Sequence, residues 1–377
     1  MSEFSDFCNM LREESGMTIY HIAKVSGIER TALNRMLNGR RFPKYEDVDL
    51  FCEVLRASEK EKEHIRKLYL MEKVGKSHYE NYRYIQDLLC ELDQGESYAM
   101  PPEQILPGNT DGDRKPFVSG RKGVKNLICN ILEQEYRQQG IAGVYTNFPV
   151  HEDTLPAAVG FYEKKYKKEV PLCHFHILNV NPEKYYDSGC NLKVLHSALK
   201  WIFSKGRSYI PYYTYSQTML NDLELQFMPY YLITDCTVLL VSDNFQQGIL
   251  LEEPDMVLFY QKRMLAIRQQ MHRLFQMDVE MDTGKKVFPK EEEGENDRIC
   301  TPGDSGRKLQ HIDVGLCEKG VILSREGAMD GGLTVMVTES SLCKSFHDYF
   351  SYLNEMADIE EVRKCGLKKG CTPDRTY

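Results

Sequence analysis

Residues 18–43 constrain this chain more than any other stretch, because they hold two apolar helical stripes with a glycine between them. The first stripe consists of Ile19, Ile22, Ala23 and Val25, and the second consists of Ala32, Leu33, Met36 and Leu37. Gly27 interrupts the helical period, and glycine readily adopts the positive φ that a sharp turn requires. The small Ala23 lets two steeply crossing helices approach each other. The spacing therefore predicts two helices joined in a helix-turn-helix.

Polar residues occupy the remaining positions of the second helix and the loop that follows it. They are Arg30, Thr31, Asn34 and Arg35, and then Arg40, Arg41 and Lys44. Between Ile28 and Lys44 only Glu29 carries the opposite charge. An exposed helix start beside a basic loop suits the major groove of DNA and its phosphates. The alternative is a small helical bundle with a solvated basic face, but the joint placement of glycine, small and apolar positions favours DNA binding.

This stretch resembles the Cro/C1-type (XRE) helix-turn-helix regulators over residues 1–72. The matching positions are Leu11, Arg12, Gly16, Met17, Thr18, Ile22, Ala23, Gly27, Ile28, Leu33, Asn38, Gly39, Pro43, Val48, Phe51 and Leu55. The resemblance implies an all-α domain of five helices that binds double-stranded operator DNA as a homodimer on paired half-sites. It also implies that Arg30, Thr31 and Asn34 correspond to the base-reading residues of the family.

The sequence departs from the family pattern at two positions. Ile19 stands where a glutamine often holds a phosphate, and Glu29 stands where a serine often caps the recognition helix. Glutamate is favourable to the helix dipole but repels phosphate. We therefore expect either weak binding or a register on DNA that is set by Thr18, Tyr20 and the basic loop. The side chains predicted to lie near phosphates are Thr18, Arg35, Arg40, Arg41 and Lys44.

Composition limits the remaining classes of protein. A length of 377 residues with 42% hydrophobic residues suggests two or three domains with substantial cores. The net charge of -8 excludes a general nucleic-acid coater, so the positive charge is a local feature. No basic leader precedes an apolar segment, and no apolar run approaches the roughly 20 residues of a membrane span. Twelve scattered cysteines without a secretory signal indicate reduced thiols and a cytoplasmic protein.

The periodicity predicts an α+β chain, in which the helical domain precedes a larger α/β domain with a mixed sheet. We place the helix-turn-helix domain at 1–72, a connecting helix and linker at 73–120, and the α/β domain at 121–363. A charged insertion spans 282–308, and a basic tail spans 364–377. The connecting helix must bury its apolar stripe on the second domain or on its copy in a dimer, and the sequence leaves both open.

Three more precise expectations concern single elements. Ser58 and Glu61 have the spacing of a capping box. Residues 230–241 are strand-like throughout, and residues 254–275 form a long helix with apolar positions spaced by four and three.

The second domain offers only weak candidate sites, and its residues match no family. Lys205, Arg207, Tyr212 and Tyr213, together with Tyr209 and Tyr215, form a basic and aromatic patch that suits an anionic or aromatic ligand. His174 and His176 share one face of a strand, where a structural role is favoured over a metal site. Cys365 and Cys371 are expected to be free thiols. We predict no catalytic cluster, no metal and no cofactor.

The sequence therefore favours a DNA-binding transcriptional regulator, more a repressor than an activator, whose α/β domain dimerises and senses a ligand or partner. An interaction protein of the antitoxin type is one alternative. An enzyme with an autoregulatory DNA-binding head is the other.

Overall fold

A computed structural model describes residues 2–94, 116–138, 143–180, 189–216, 228–277, 311–317, 319–325 and 332–353. These residues form two compact units, the first with 2–85 and 345–353, the second with the other described residues from Gln86 to Lys344. Among the described residues the divisions follow residues 85 and 344, and each falls inside a helix. The domain bounds 1–72, 73–120 and 121–363 remain predictions from the sequence. The insertion at 282–308, the tail at 364–377 and Cys365 with Cys371 lie outside the described residues. No helix in the described ranges has the length and hydropathy of a membrane span.

The described part of the first unit is helical, as the sequence predicts. Its helices are α1 (Glu3–Ser15), α2 (Ile19–Ser26), α3 (Arg30–Leu37), α4 (Tyr45–Leu55), α5 (Glu59–Val74), the first part of α6 (Lys76–Gln94) and the end of a C-terminal helix at 340–353. Gly16 and Gly27 follow α1 and α2 with φ of 66° and 75°. Ser58 and Glu61 form the predicted capping box at the start of α5. Local signals therefore fix where these helices begin and end.

The core of the first unit joins α1 to the helix-turn-helix. Phe4, Cys8 and Leu11 of α1 are buried, as are Val48, Phe51, Cys52 and Ile65 of α4 and α5. The Asn9 amide donates hydrogen bonds to the carbonyls of Ser5 (3.0 Å) and Leu37 (2.6 Å). Because the carbonyls at a helix end lack partners within the helix, this contact satisfies the end of α3 and fixes it to α1.

The connecting helix α6 buries its apolar stripe within one chain. Its buried residues are Ile85, Leu88, Leu89 and Leu92. In the first unit, Tyr82 stacks on Tyr352 of the C-terminal helix with ring centroids 5.2 Å apart. In the second unit, Glu91 forms an ion pair with Lys200, and its carboxylate lies 3.1 Å from Nε2 of His196. The sequence left open where this helix packs, and the structure gives each of its ends contacts within the same chain.

The second unit is built on a mixed sheet, as predicted. Its strands and helices are β1 (Phe117–Ser119), α7 (Arg121–Arg137), β2 (Val144–Thr146), α8 (Thr154–Tyr166), β3 (Leu172–Leu178), α9 (Cys190–Lys205), β4 (Tyr209–Tyr215), β5 (Tyr230–Ile233), β6 (Val238–Val241), β7 (Gln247–Leu251), α10 (Pro254–Gln269) and β8 (His272–Arg273). The order is β1-β7-β6-β5-β2-β3-β4-β8, in which β2, β3 and β4 are parallel and the other pairs antiparallel. Parallel strands joined by α8 and α9 account for this centre of the sheet.

The two faces of this sheet carry different helices. Alternate strand residues, among them Phe175, Tyr212 and Ile233, form a core with Val257 and Met264 of α10. On the opposite face, Tyr209 stacks on Trp201 of α9 with ring centroids 5.2 Å apart. Residues next to each other in a strand therefore lie in different cores.

Residues 230–241 do not form one strand, although their apolar pattern predicts it. β5 and β6 form a hairpin in which the Thr234 N–H donates to the Thr237 carbonyl at 2.9 Å. Two residues, Asp235 and Cys236, make the turn. Ile233 and Val238 flank the turn and both belong to the core beneath α10. The four residues between them include no glycine or proline, so the sequence carries neither of the two strongest turn signals at the reversal.

The helix predicted to reach residue 275 ends at Gln269. The next residues instead complete the sheet edge, since His272 and Arg273 pair with β4 and the Leu274 N–H donates to the Pro211 carbonyl at 3.0 Å. Leu274 is fully buried. The helical spacing correctly predicts that Leu274 is buried, but the residue lies at the edge of the sheet and not in a helix.

A second, antiparallel sheet in the second unit contains β9 (Phe275–Met277), β10 (Ile312–Cys317), β11 (Gly320–Arg325) and β12 (Leu333–Val337), in the order β10-β11-β12-β9. Gly320 lies so close to the neighbouring strand that an added Cβ would overlap the backbone carbonyl of Val337. At Gly315 of β10 an added Cβ would lie 3.7 Å from the Ile322 Cβ, which is an ordinary contact.

We predict that Gly320→Ala destabilises the second sheet by roughly 3 kcal/mol or more, because backbone atoms must move to make room. Gly315→Ala is the matched control in the adjacent strand, and it should cost much less. Urea unfolding of both variants measures the difference. Equal stability of the two variants would contradict the close approach of β11 and β12.

Candidate nucleic-acid interface

The turn between α2 and α3 is held by short-range hydrogen bonds. The Thr18 hydroxyl accepts from the His21 N–H at 3.3 Å and caps α2. At the other end, the Gly27 N–H donates to the Ala23 carbonyl at 3.0 Å, and the Ile28 N–H donates to the Ser26 hydroxyl at 3.1 Å. Ile28 is buried. These contacts set the direction in which α3 leaves the turn.

Burial divides α3 into an apolar and a polar face. Leu33, Met36 and Leu37 are almost fully buried. The exposed positions are Arg30, Thr31, Asn34, Arg35 and Asn38. Within this surface the Thr31 hydroxyl donates to the Glu29 carboxylate, and the Asn38 amide donates to the Asn34 side-chain oxygen at 3.0 Å. The residues predicted to read bases therefore share one solvent-facing side of a fixed helix.

Aromatic contacts anchor the basic loop that follows α3. Phe42 stacks on Tyr69 of α5 with ring centroids 4.5 Å apart, and Phe4 packs on both rings. The Tyr69 hydroxyl donates to the Pro43 carbonyl at 3.3 Å. The sequence does not predict this contact, since 27 residues separate Phe42 and Tyr69 in the chain. The signal for Phe42 was a large apolar residue inside a basic loop.

The basic residues around this anchor are exposed. They are Arg30, Arg35, Arg40, Arg41 and Lys44. Gly39 starts the loop with φ of 63°, and an added Cβ there would lie 3.3 Å from the Ser5 hydroxyl. The Arg40 N–H returns to the Arg35 carbonyl at 2.8 Å, which holds the loop against the end of α3. The interface thus joins a polar helix face to a local excess of positive charge, as phosphate and base contacts require. Thr18 is also exposed, but its hydroxyl already accepts a hydrogen bond from the His21 N–H as the cap of α2.

The patch predicted to bind a ligand in the second unit does not converge on one site. Lys205 forms an ion pair with Glu163, which also accepts from the Tyr136 hydroxyl at 3.2 Å. Burial lowers the pKa of Lys205 to about 8. Tyr212 stacks on Phe175 beneath α10, whereas Tyr213 lies on the opposite face.

Arg207 is exposed in a 3-10 turn, Gly206–Ser208, before β4. A common ligand remains a prediction for Lys205, Arg207, Tyr212 and Tyr213. The structure does not bring these four side chains together around one site.

His174 and His176 lie side by side in the core beneath α9, with ring centroids 4.0 Å apart. His174 contacts the Phe148 carbonyl through Nε2 (2.8 Å) and the Tyr209 hydroxyl through Nδ1 (3.1 Å). His176 Nε2 lies 3.3 Å from the same hydroxyl. Among the described residues, no group of three or more His, Cys, Asp or Glu side chains could hold a metal ion. The hydrogen bonds favour the structural role.

Comparison with known proteins identifies only the N-terminal part of the chain. Residues 3–65 match the family model of a helix-turn-helix domain. No curated protein and no solved structure matches the chain. Residues 3–65 are therefore a helix-turn-helix domain of the Cro/C1 type, which indicates a DNA-binding regulator. Nothing is recognised in the C-terminal part.

The buried histidine pair generates a prediction about acid stability. Burial lowers the pKa of His174 from 6.5 to about 4, and burial beside His174 lowers the pKa of His176 as well. Both histidines bind protons more readily in the unfolded chain than in the folded one. Their contribution to the free energy of unfolding is therefore fully present above about pH 6.5, and it is lost progressively as pH falls to about 4. We expect His174 alone to lower the free energy of unfolding by roughly 2 kcal/mol between pH 7 and pH 5.

Fluorescence of Trp201, the single tryptophan, reports on this cluster during urea unfolding because its ring packs against His174 and Tyr209. A His174→Asn variant should lose less stability between the two pH values, even if it is less stable at both. The same loss in the variant and the original protein would contradict the assignment.

Proposed function

We propose that this chain is a sequence-specific transcriptional regulator that represses by occupying operator DNA through its N-terminal domain. The observation that carries the proposal is the exposed polar face of α3 beside an anchored basic loop. The match of residues 3–65 to a helix-turn-helix domain supports it. We favour repression over activation, because repression requires only that the protein occupies the operator.

The proposed contacts fall into two groups. Arg30, Thr31 and Asn34 extend from the first turns of α3 and read base edges in the major groove. The phosphate contacts come from Thr18, Arg35, Arg40, Arg41 and Lys44, which lie before, at the end of and after the motif. Phosphate contacts position the domain and give salt-dependent affinity, whereas base contacts give the sequence preference.

The second unit completes the proposed regulator. One helix-turn-helix domain has too few contacts for a unique site, so we propose that the α/β part holds two copies together. We also propose that it senses a ligand or a partner protein. Such an effector acts by binding one arrangement of the dimer more tightly than another, when only one arrangement matches the half-site spacing.

Removal of two proposed base contacts tests the recognition helix. Arg30→Ala with Asn34→Ala should weaken binding to DNA from upstream of its own gene by at least about 30-fold, since each base contact contributes about 1–3 kcal/mol. Both side chains are exposed, so the fold should be unchanged. A titration by fluorescence anisotropy at several salt concentrations, with random DNA for comparison, measures the loss.

Lys60→Ala with Lys67→Ala is the matched control, because it removes exposed charge from α5 outside the basic surface. This control should retain the sequence preference. Unchanged affinity in the variant with Arg30→Ala and Asn34→Ala would contradict the assignment of α3 as the helix that reads the bases. Binding no tighter than to random DNA, in the original protein, would overturn the proposed function itself.

The aromatic anchor gives a separate prediction about the basic loop. Phe42→Ala leaves every charge in place but frees the loop from Tyr69, so ordering the loop on DNA then costs free energy. We expect affinity to fall by about tenfold. Leu50→Ala on α4 is the control, since Leu50 is 39% exposed and Phe42 is 37% exposed. The same titration compares them, and equal affinities would contradict an anchoring role for Phe42.

A further inference from the structure

The outer face of α10 presents large apolar side chains that the described part of its unit leaves exposed. Val257 and Met264 on the inner face are each 4% exposed and pack on the sheet. Leu258 and Phe259, in contrast, are 47% and 57% exposed. Single exposed apolar residues are common on protein surfaces, whereas adjacent ones on one helix face mark a contact surface.

Charges flank this apolar pair in a symmetrical pattern. Asp255, Leu258, Phe259 and Lys262 follow the spacing i, i+3, i+4, i+7, so they form one stripe along the helix. Asp255 and Lys262 are two turns apart, roughly 10 Å, and cannot pair with each other. The positions of α10 three and four residues from either one carry no opposite charge. All four side chains of the stripe are exposed.

The stripe is complementary to itself when a second helix lies antiparallel to it. A two-fold axis between Leu258 and Phe259 places these two residues against the partner's Phe259 and the partner's Leu258. The same axis places Asp255 against the partner's Lys262, and Lys262 against the partner's Asp255. A parallel arrangement would oppose like charges. An isologous interface requires this kind of self-complementary pattern.

We propose that two copies of this chain associate through antiparallel α10 helices, with the residues 255, 258, 259 and 262 at the centre of the contact. The proposal rests on the proposed function in one respect, because it names the surface that brings two helix-turn-helix domains to one operator. The stripe binds a second copy of this chain, since the order acid, leucine, phenylalanine, base is complementary to the same order read in the opposite direction.

Charge reversal of the full-length protein tests the contact without DNA. Asp255→Lys places lysine against lysine at both ends of the stripe, and Lys262→Asp places two carboxylates together. Each variant should associate on the order of tenfold more weakly than the original protein in sedimentation equilibrium. The control is Lys164→Asp on α8, an exposed position on another helix, which should leave association unchanged.

Restoration distinguishes this arrangement from a general charge effect. An equimolar mixture of the Asp255→Lys and Lys262→Asp proteins has opposite charges at both contacts, so dimers should re-form. The double variant, with both reversals in one chain, should also dimerise. A monomeric original protein would overturn the proposal, as would single reversals that change nothing or a mixture that stays monomeric.

A duplex with one half-site separates this inference from the proposed function. The Asp255→Lys and Lys262→Asp variants should bind it as tightly as the original protein does, because their DNA contacts are intact. If the original protein dimerises through α10 but fails to bind DNA selectively, the proposed function is wrong and the α10 contact stands. If it binds DNA but single reversals leave its self-association unchanged, only the α10 contact is wrong.

Discussion

The burial of one face of α3 is the constraint on which the proposed interface depends. Leu33, Met36 and Leu37 are inside the first unit, so the polar residues between them must face solvent. The turn at Gly27 sets the direction of the helix, and the amide of Asn9 satisfies its last carbonyl. Without this burial Arg30 and Asn34 would have no common direction. The core residues therefore position the polar side chains of the interface.

Much of the first unit follows from its sequence because its determinants are local. Helical period, Gly27 and the capping box at Ser58 each act within a few residues. The sequence does not predict the contact between Phe42 and Tyr69, because it joins residues far apart in the chain. In the second unit the sequence predicts a mixed sheet but misses the hairpin after Ile233 and the end of α10. Apolar spacing records burial, and it does not record whether the backbone turns or continues.

The predicted ligand patch illustrates a second limit of sequence reasoning. Tyr212 and Tyr213 are neighbours in the chain, yet they lie in cores on opposite faces of the sheet. Lys205 belongs to an ion pair with Glu163. Conversely, the charge of the whole chain is negative, although α3 and its loop carry a local excess of positive charge. Local sets of residues were informative where one helix or turn holds them together, as in the helix-turn-helix.

In the proposed function, the exposed face of α3 selects a DNA sequence. The most direct measurement is selection by the full-length protein from a pool of random duplexes, followed by sequencing of the bound fraction. We expect one enriched motif, present in two inverted copies at a fixed spacing, as two domains on one operator require. A bound fraction with the same sequence distribution as the starting pool would contradict it.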